Sequence, residues 1–208
     1  MRVLIIAQPR TGSTVFSKWL SNELSLLWLD EPFNRQRGVA INQFFELDNI
    51  LAKVIFEGNK GEWFYDRRIK SIDDLLSLNW DYVFTLTRNN VREQSISKVW
   101  SDENEYWYIT KYKIDDNWLL KRSKWIEKQI RIFESDKKIV DSINSHKLIY
   151  EEIYSTKSNI NYIKNLFNID EFKYAEEISS DNRYRKESEY NGDDLFDKFK
   201  KKPYIRVL

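Results

Sequence analysis

The stretch "RVLIIAQPRTGSTVFSKWL" (residues 2–20) decides the fold. Residues 2–7 form a short apolar run rich in branched side chains and ended by turn residues, which predicts a buried strand. Gln8-Pro9-Arg10-Thr11-Gly12-Ser13-Thr14 follows as a tight polar loop. From Thr14 to about Leu24 the chain reads as a helix: Phe16, Leu20, Leu24 and Leu27 recur every three to four positions, with Trp19 beside them. Strand, loop and helix in that order make an anion cradle. Gly12 accepts positive φ and lets a ligand approach the backbone. Ser13 and Thr14 offer hydroxyls, and the helix start offers free N–H groups with a partial positive charge. Arg10 adds a forked, permanently charged donor set. No lysine follows Gly12, so the nucleotide-hydrolase pattern G-x-x-x-x-G-K-[ST] is absent. Taken alone, "PRTGST" also fits an ordinary strand-to-helix turn with a Ser/Thr cap.

Working outward, the same alternation continues. "LLWL" (26–29), "LAKVIF" (51–56) and "DYVFTL" (81–86) predict further strands, and "HKLIYEEI" (146–153) holds a last short one. "SIDDLLSL" (71–78) predicts a short helix with Ser71 as its N-cap and Asp73 and Asp74 in its first turn. A helix is expected from about Asn90 to Trp100, and another at 159–167. A long one is expected over 117–143, with Leu119, Ile126, Ile130, Phe133 and Val140 on its core face. No repeat or Pro/Gly-rich linker divides the chain, so residues 1–208 are expected to be one domain with a polar tail from about 178. Alternating strands and helices imply an α/β fold: three layers, α/β/α, around a mostly parallel central sheet. In such sheets the ligand crevice lies beyond the carboxyl ends of the strands. Residues 8–14, 30–33 and 87–97 are therefore expected to be neighbours.

Composition narrows the chemistry. With 208 residues the chain can bury a full core. The 8 Trp, 12 Tyr and 12 Phe promise a large buried area or an aromatic-lined pocket. A formal net charge of +1 argues against a general nucleic-acid or membrane-surface binder, so anion binding must come from local Arg and Lys placement. With no cysteine, thiolate nucleophiles and Cys-based metal sites are excluded. The single histidine, His146, rules out a multi-His metal site. No leader pattern opens the chain and no segment approaches the ~20 apolar residues of a membrane span, which points to the cytoplasm.

"QPRTGSTVFSKWL" resembles the 5′-phosphosulfate loop of the sulfotransferases, enzymes that use 3′-phosphoadenosine 5′-phosphosulfate (PAPS) and whose loops read P-[RK]-[ST]-G-[ST]-[ST]. "LTRNNVREQSISKVW" (86–100) resembles their 3′-phosphate motif, R-x-N-[LV]-x-[ED]-Q-x-[VIL]-S. "LDEPF" (29–33) falls where they carry a short acidic motif, and "LIYEEI" (148–153) is similar to their "YEDL". The resemblance runs from residue 2 to about 168. It implies the P-loop-like sulfotransferase fold and transfer of a sulfuryl group from PAPS to an acceptor hydroxyl or amine, leaving 3′,5′-adenosine bisphosphate. By that match Arg10, Thr11, Gly12, Ser13 and Thr14 hold the 5′-phosphosulfate, and Arg88 and Ser97 hold the 3′-phosphate. Arg185 and Lys186, in "NRYRKESEYNG" (182–192), stand nearest to the family's closing cofactor loop, making the tail a cofactor flap. Arg10 stands where cytosolic members have lysine, and the chain is short for the family.

In-line sulfuryl transfer needs positioned groups and stabilised charge, and the transferred group carries less charge than a γ-phosphate, so no metal is expected. Arg10 is the expected clamp on the leaving oxygen. Glu31 is the expected base, with Phe33 beside it to exclude water and favour the neutral acid. Asp30 is its alternative, and a cap or a pair with Arg35 is the bland role for Glu31. Lys53, inside a strand, either reaches the acceptor or a sulfate oxygen or snorkels at a sheet edge. Trp100, Tyr106, Trp107, Tyr108, Tyr112 and Trp118 are either an acceptor wall or core. His146 precedes the last strand, away from these motifs. The expected partner is a small-molecule or carbohydrate acceptor, with no nucleic acid or membrane; acceptor identity and oligomeric state are open. Two other functions fit parts of the pattern: a nucleotide-binding module without turnover, and a P-loop kinase-like phosphotransferase.

Overall fold

The computed structural model describes residues 1–33, 44, 46–58, 69, 71–104, 114 and 116–172. Its strands are β1 (Arg2–Ala7), β2 (Leu27–Asp30), β3 (Ile50–Ile55), β4 (Tyr82–Thr87) and β5 (His146–Ile149). Its helices are α1 (Ser13–Glu23), α2 (Ile72–Leu76), α3 (Val91–Asn104), α4 (Asp116–Ser142), α5 (Tyr150–Tyr154) and α6 (Ser158–Leu166). The strands form one sheet in the order β2-β3-β1-β4-β5, and every pairing is parallel. This is an α/β fold with a five-stranded parallel sheet between helices.

The apolar run at the N-terminus takes the central strand because both of its faces must be covered. Val3, Ile5 and Ala7 face one layer with Phe16, Trp19 and Leu20 of α1 and Ile160 and Ile163 of α6. Leu4 and Ile6 face the other layer, with Leu75 of α2, Val140 of α4 and Ile143. The period-two alternation of a strand sorts these side chains. Each fully buried apolar side chain contributes on the order of 1.5–3 kcal/mol. The edge strands β2 and β5 have only four residues each, which limits the unpaired backbone they offer to other chains.

Element ends differ from the sequence reading by one or two residues, with two larger exceptions. α3 runs on to Asn104, so Trp100 lies in its last turns. The "LIYEEI" segment leaves β5 at Ile149 and turns directly into α5. Leu27 is in β2 and partly exposed rather than on α1. Of the expected α4 core face, Ile126, Phe133 and Val140 are buried, while Leu119 and Ile130 are half-buried. Ser71 caps α2, accepting from Asp74 N–H at 3.1 Å.

The layering also explains where a site can form. The chain leaves β1 toward the face that α1 covers. After β4 it returns to the opposite face, where Val140 of α4 packs. β1 and β4 are adjacent and parallel, so their carboxyl ends flank a topological switch point, where the two connections part and leave a crevice.

Candidate functional site

Three side-chain donors, Thr11 of the loop itself and Gln94 and Tyr154 from elsewhere in the fold, hold the backbone of the loop after β1. Gln94 Nε2 donates to the Pro9 carbonyl at 2.7 Å, Thr11 Oγ1 to the Gln8 carbonyl at 2.7 Å, and Tyr154 Oη to the Gly12 carbonyl at 2.9 Å. In a trans peptide unit the N–H points opposite to the C=O. Anchoring the Pro9 and Gly12 carbonyls therefore turns the amides of Arg10 and Ser13 away from the anchors. Arg10 and Gly12 both adopt left-handed backbone, with φ of 63° and 66°. Glycine does so freely, whereas the same conformation costs an arginine about 1–2 kcal/mol. The three anchors offset that strain. Gly12 caps α1 without a side-chain hydrogen bond, and no acidic residue lies in the helix's first turn. The first amides of α1 thus have no intrahelical acceptor, as at any helix start.

Across the crevice, the loop after β4 carries the second group of residues. Arg88 is buried. Its guanidinium lies 4.4 Å from the centre of the Tyr150 ring, with Nη2 2.5 Å from Glu93 Oε2 and Nε 3.7 Å from Glu151 Oε1. Glu151 accepts from the Asn89 and Asn90 amides at 3.0 Å each, which ties α5 to the start of α3. Ser97, nine residues after Arg88, is buried on α3, and its Oγ accepts from Arg10 Nε at 2.8 Å. The loop after β1 is therefore in direct contact with α3.

Lys53 is the third element. It is 1% exposed, in a strand flanked by β1 and β2. The sheet-edge reading is thereby corrected: β3 is interior, and its lysine has no path to snorkel to water. Instead Nζ lies 3.0 Å from Thr14 Oγ1, 2.6 Å from Asp30 Oδ1 and 3.2 Å from Glu31 Oε1. Register explains this. Asp30 pairs with Lys53 across β2 and β3, and Ile5 pairs with it across β3 and β1. Glu31 then folds back in left-handed backbone (φ 52°), its N–H donating to the Lys53 carbonyl at 2.8 Å. One ammonium links the two carboxylates of "LDEPF" to the first turn of α1.

A second charge group centres on the buried Lys98. Lys98 Nζ is 2.6 Å from Asp102 Oδ1 and 3.8 Å from Glu57 Oε1. Asp136 of α4, also buried, accepts from Gly58 N–H at 3.2 Å. Burial pushes its carboxyl pKa up; the Gly58 hydrogen bond opposes this and the neighbouring Glu57 charge adds to it.

Of the residues the sequence singled out, Arg10, Thr11, Gly12, Ser13, Thr14, Glu31, Arg88 and Ser97 all lie around this crevice. Arg35, Arg185, Lys186, Tyr106, Trp107, Tyr108 and Tyr112 lie outside the described residues, as does the tail. Trp118 donates from Nε1 to Glu103 Oε2 at 2.8 Å, joining α4 to α3. His146 opens β5 with its ring against Tyr82, Phe84 and Tyr162, and hydrogen-bonds Tyr162. The anchors Gln94 and Tyr154 were missed as supports of the loop. Gln94 sits inside the Arg88–Ser97 motif, but neither its burial nor its partner is readable from a one-dimensional pattern.

No protein-family model matches the sequence, and no curated protein matches it significantly. Among solved structures, the chain is similar in fold to mouse sulfotransferase SULT7A1, crystallised in complex with PAP. The TM-score is 0.53 at 8% identity, over 91% of this chain and 68% of that one. At that identity the likeness is one of fold. Among the described residues, no helix is long and apolar enough to cross a membrane.

Proposed function

We propose that this protein is a sulfotransferase that moves a sulfuryl group from PAPS to a hydroxyl or amine of a small-molecule or carbohydrate acceptor, in line and without a metal. The observation that carries the reading is the Arg10–Ser97 hydrogen bond. It brings the loop after β1 against the motif after β4, close enough for one ligand with two anionic ends to reach both. The likeness in fold to a PAP-bound sulfotransferase agrees with it.

The donor set fits such a ligand. At one end are the open amides of α1, the Ser13 and Thr14 hydroxyls and Arg10. At the other are Ser97 and Arg88, whose buried Nε has no hydrogen-bond partner among the described residues. Bound PAPS supplies an activated sulfuryl group on a good leaving phosphate. Arg10, always protonated, stabilises charge that gathers on the leaving oxygen and does not give up a proton. Glu31 accepts the acceptor's proton as the new bond forms. Lys53 holds Glu31 and Thr14 at a fixed spacing, so the base and the anion loop keep one geometry.

Calorimetry with 3′,5′-adenosine bisphosphate tests the reading. Binding without Mg²⁺, lost in Arg88→Ala, is expected, together with transfer of labelled sulfate from PAPS into an acceptor pool. Much tighter binding of MgATP would overturn it in favour of a phosphotransferase. Nucleotide binding with no transfer to any pool would leave a binding module.

A further inference from the structure

We infer that Glu93 is an internal competitor for the 3′-phosphate subsite, pairing with Arg88 in place of that phosphate and speeding departure of the product nucleotide. The inference rests on the reading that Arg88 receives that phosphate. Two carboxylates face the Arg88 guanidinium, and they are unlike. Glu151 is fixed by the Asn89 and Asn90 amides, so it stays when a ligand arrives. Glu93 makes a 2.5 Å contact to Nη2 while its side chain is 59% exposed, against 8% for Arg88. Its backbone N–H donates to Asn90 Oδ1 at 3.1 Å, which holds the main chain and not the carboxylate.

Arg88 itself has little freedom. It is stacked on Tyr150 and more than nine-tenths buried. A phosphate that takes Nη2 as well as Nε, which has no hydrogen-bond partner among the described residues, must displace the exposed Glu93 carboxylate. A dianionic 3′-phosphate wins that exchange; a 3′-hydroxyl carries no charge and leaves the Arg88–Glu93 pair in place. Binding of a 3′-phosphorylated nucleotide is thus weakened by the cost of releasing Glu93, and its dissociation is aided by Glu93 returning. Nucleotides with a free 3′-hydroxyl are indifferent to it.

Glu93→Gln keeps size and removes the charge. Calorimetry and stopped-flow binding should show 3′,5′-adenosine bisphosphate held on the order of tenfold more tightly, mostly through slower dissociation. Adenosine 5′-monophosphate affinity should change less than about twofold. Glu93→Asp should lie between the variant and the wild type. A purely structural role, as a carboxylate near a helix start or a brace for Arg88, would lower thermal stability and leave both affinities unchanged or weaker. Weaker or unchanged bisphosphate binding in Glu93→Gln overturns the inference alone. Equal tightening of both nucleotides also overturns it, by pointing to net charge and not to the 3′ position. Failure of the wild type and the variant alike to bind bisphosphate overturns the nucleotide reading and this inference with it.

Discussion

Arg10 Nε and Ser97 Oγ meet at 2.8 Å although 87 positions separate them in the chain. The contact crosses the β1–β4 switch point and joins the loop after β1 to α3. If both side chains serve one ligand, their effects on its binding are coupled. Arg10→Ala, Ser97→Ala and the double variant should give a coupling of about 1 kcal/mol in 3′,5′-adenosine bisphosphate affinity, typical of a hydrogen bond with one charged partner in a partly open site. Additive effects would mean that the two residues act on separate sites.

Lys53 concentrates two carboxylates and a hydroxyl around one buried ammonium. Lys53→Met removes the cation and leaves Asp30 and Glu31 facing each other. A loss of roughly 3 kcal/mol is expected in urea unfolding, as when one partner of a buried pair is deleted. In an Asp30→Asn, Glu31→Gln background the same change should cost much less, because no charge is left unpaired. An equal cost in both backgrounds would mean that lost packing, and not charge, sets the effect.

Glu31 has a narrower test. Glu31→Gln keeps an acceptor near Lys53 but cannot take a proton. Turnover should fall roughly a hundredfold, the scale of lost general-base catalysis, while bisphosphate affinity holds within about twofold. Turnover at the wild-type level would remove Glu31 from the proton transfer and turn attention to Asp30.

Asp136 links stability to pH. Burial raises its carboxyl pKa above the ordinary 3.8 of an unfolded chain. The folded state then holds a proton that the unfolded state has released, so stability falls as pH rises from about that value through the raised one. Asp136→Asn keeps an acceptor for Gly58 N–H and should flatten this part of the profile. Its melting temperature at neutral pH should equal or exceed that of the wild type. An unchanged slope would assign the pH dependence to other groups.

Gly58 checks the same contact from the other side. A Cβ there would lie 2.5 Å from Asp136 Oδ1. Gly58→Ala should therefore cost about 1–3 kcal/mol, the scale of overpacking. The cost should shrink in an Asp136→Ala background; if it does not, the backbone of residue 58 is the constraint.

What the sequence determined by itself was local: the continuous apolar run of β1, the Gly12 turn, the three-to-four spacing of α1 and the Ser71 cap. Each depends on neighbours within a few residues, so periodicity and turn chemistry expose it. Alternation of these elements was enough to name a parallel α/β sheet. That the segments holding Arg10, Glu31, Arg88 and Ser97 would be neighbours was also legible, because parallel strands bring the segments that follow them to one end of the sheet. Tertiary structure alone decided their partners. It placed Lys53 in an interior strand where the sequence left an edge equally open, and it set Asp30 and Glu31 on that lysine through the β2–β3 register. It put Glu93 on Arg88 and turned Gln94 and Tyr154 onto the carbonyls of the first loop. Strand order and register carry no signature in a linear pattern; they follow from which apolar faces bury each other, and that choice decides which charges meet.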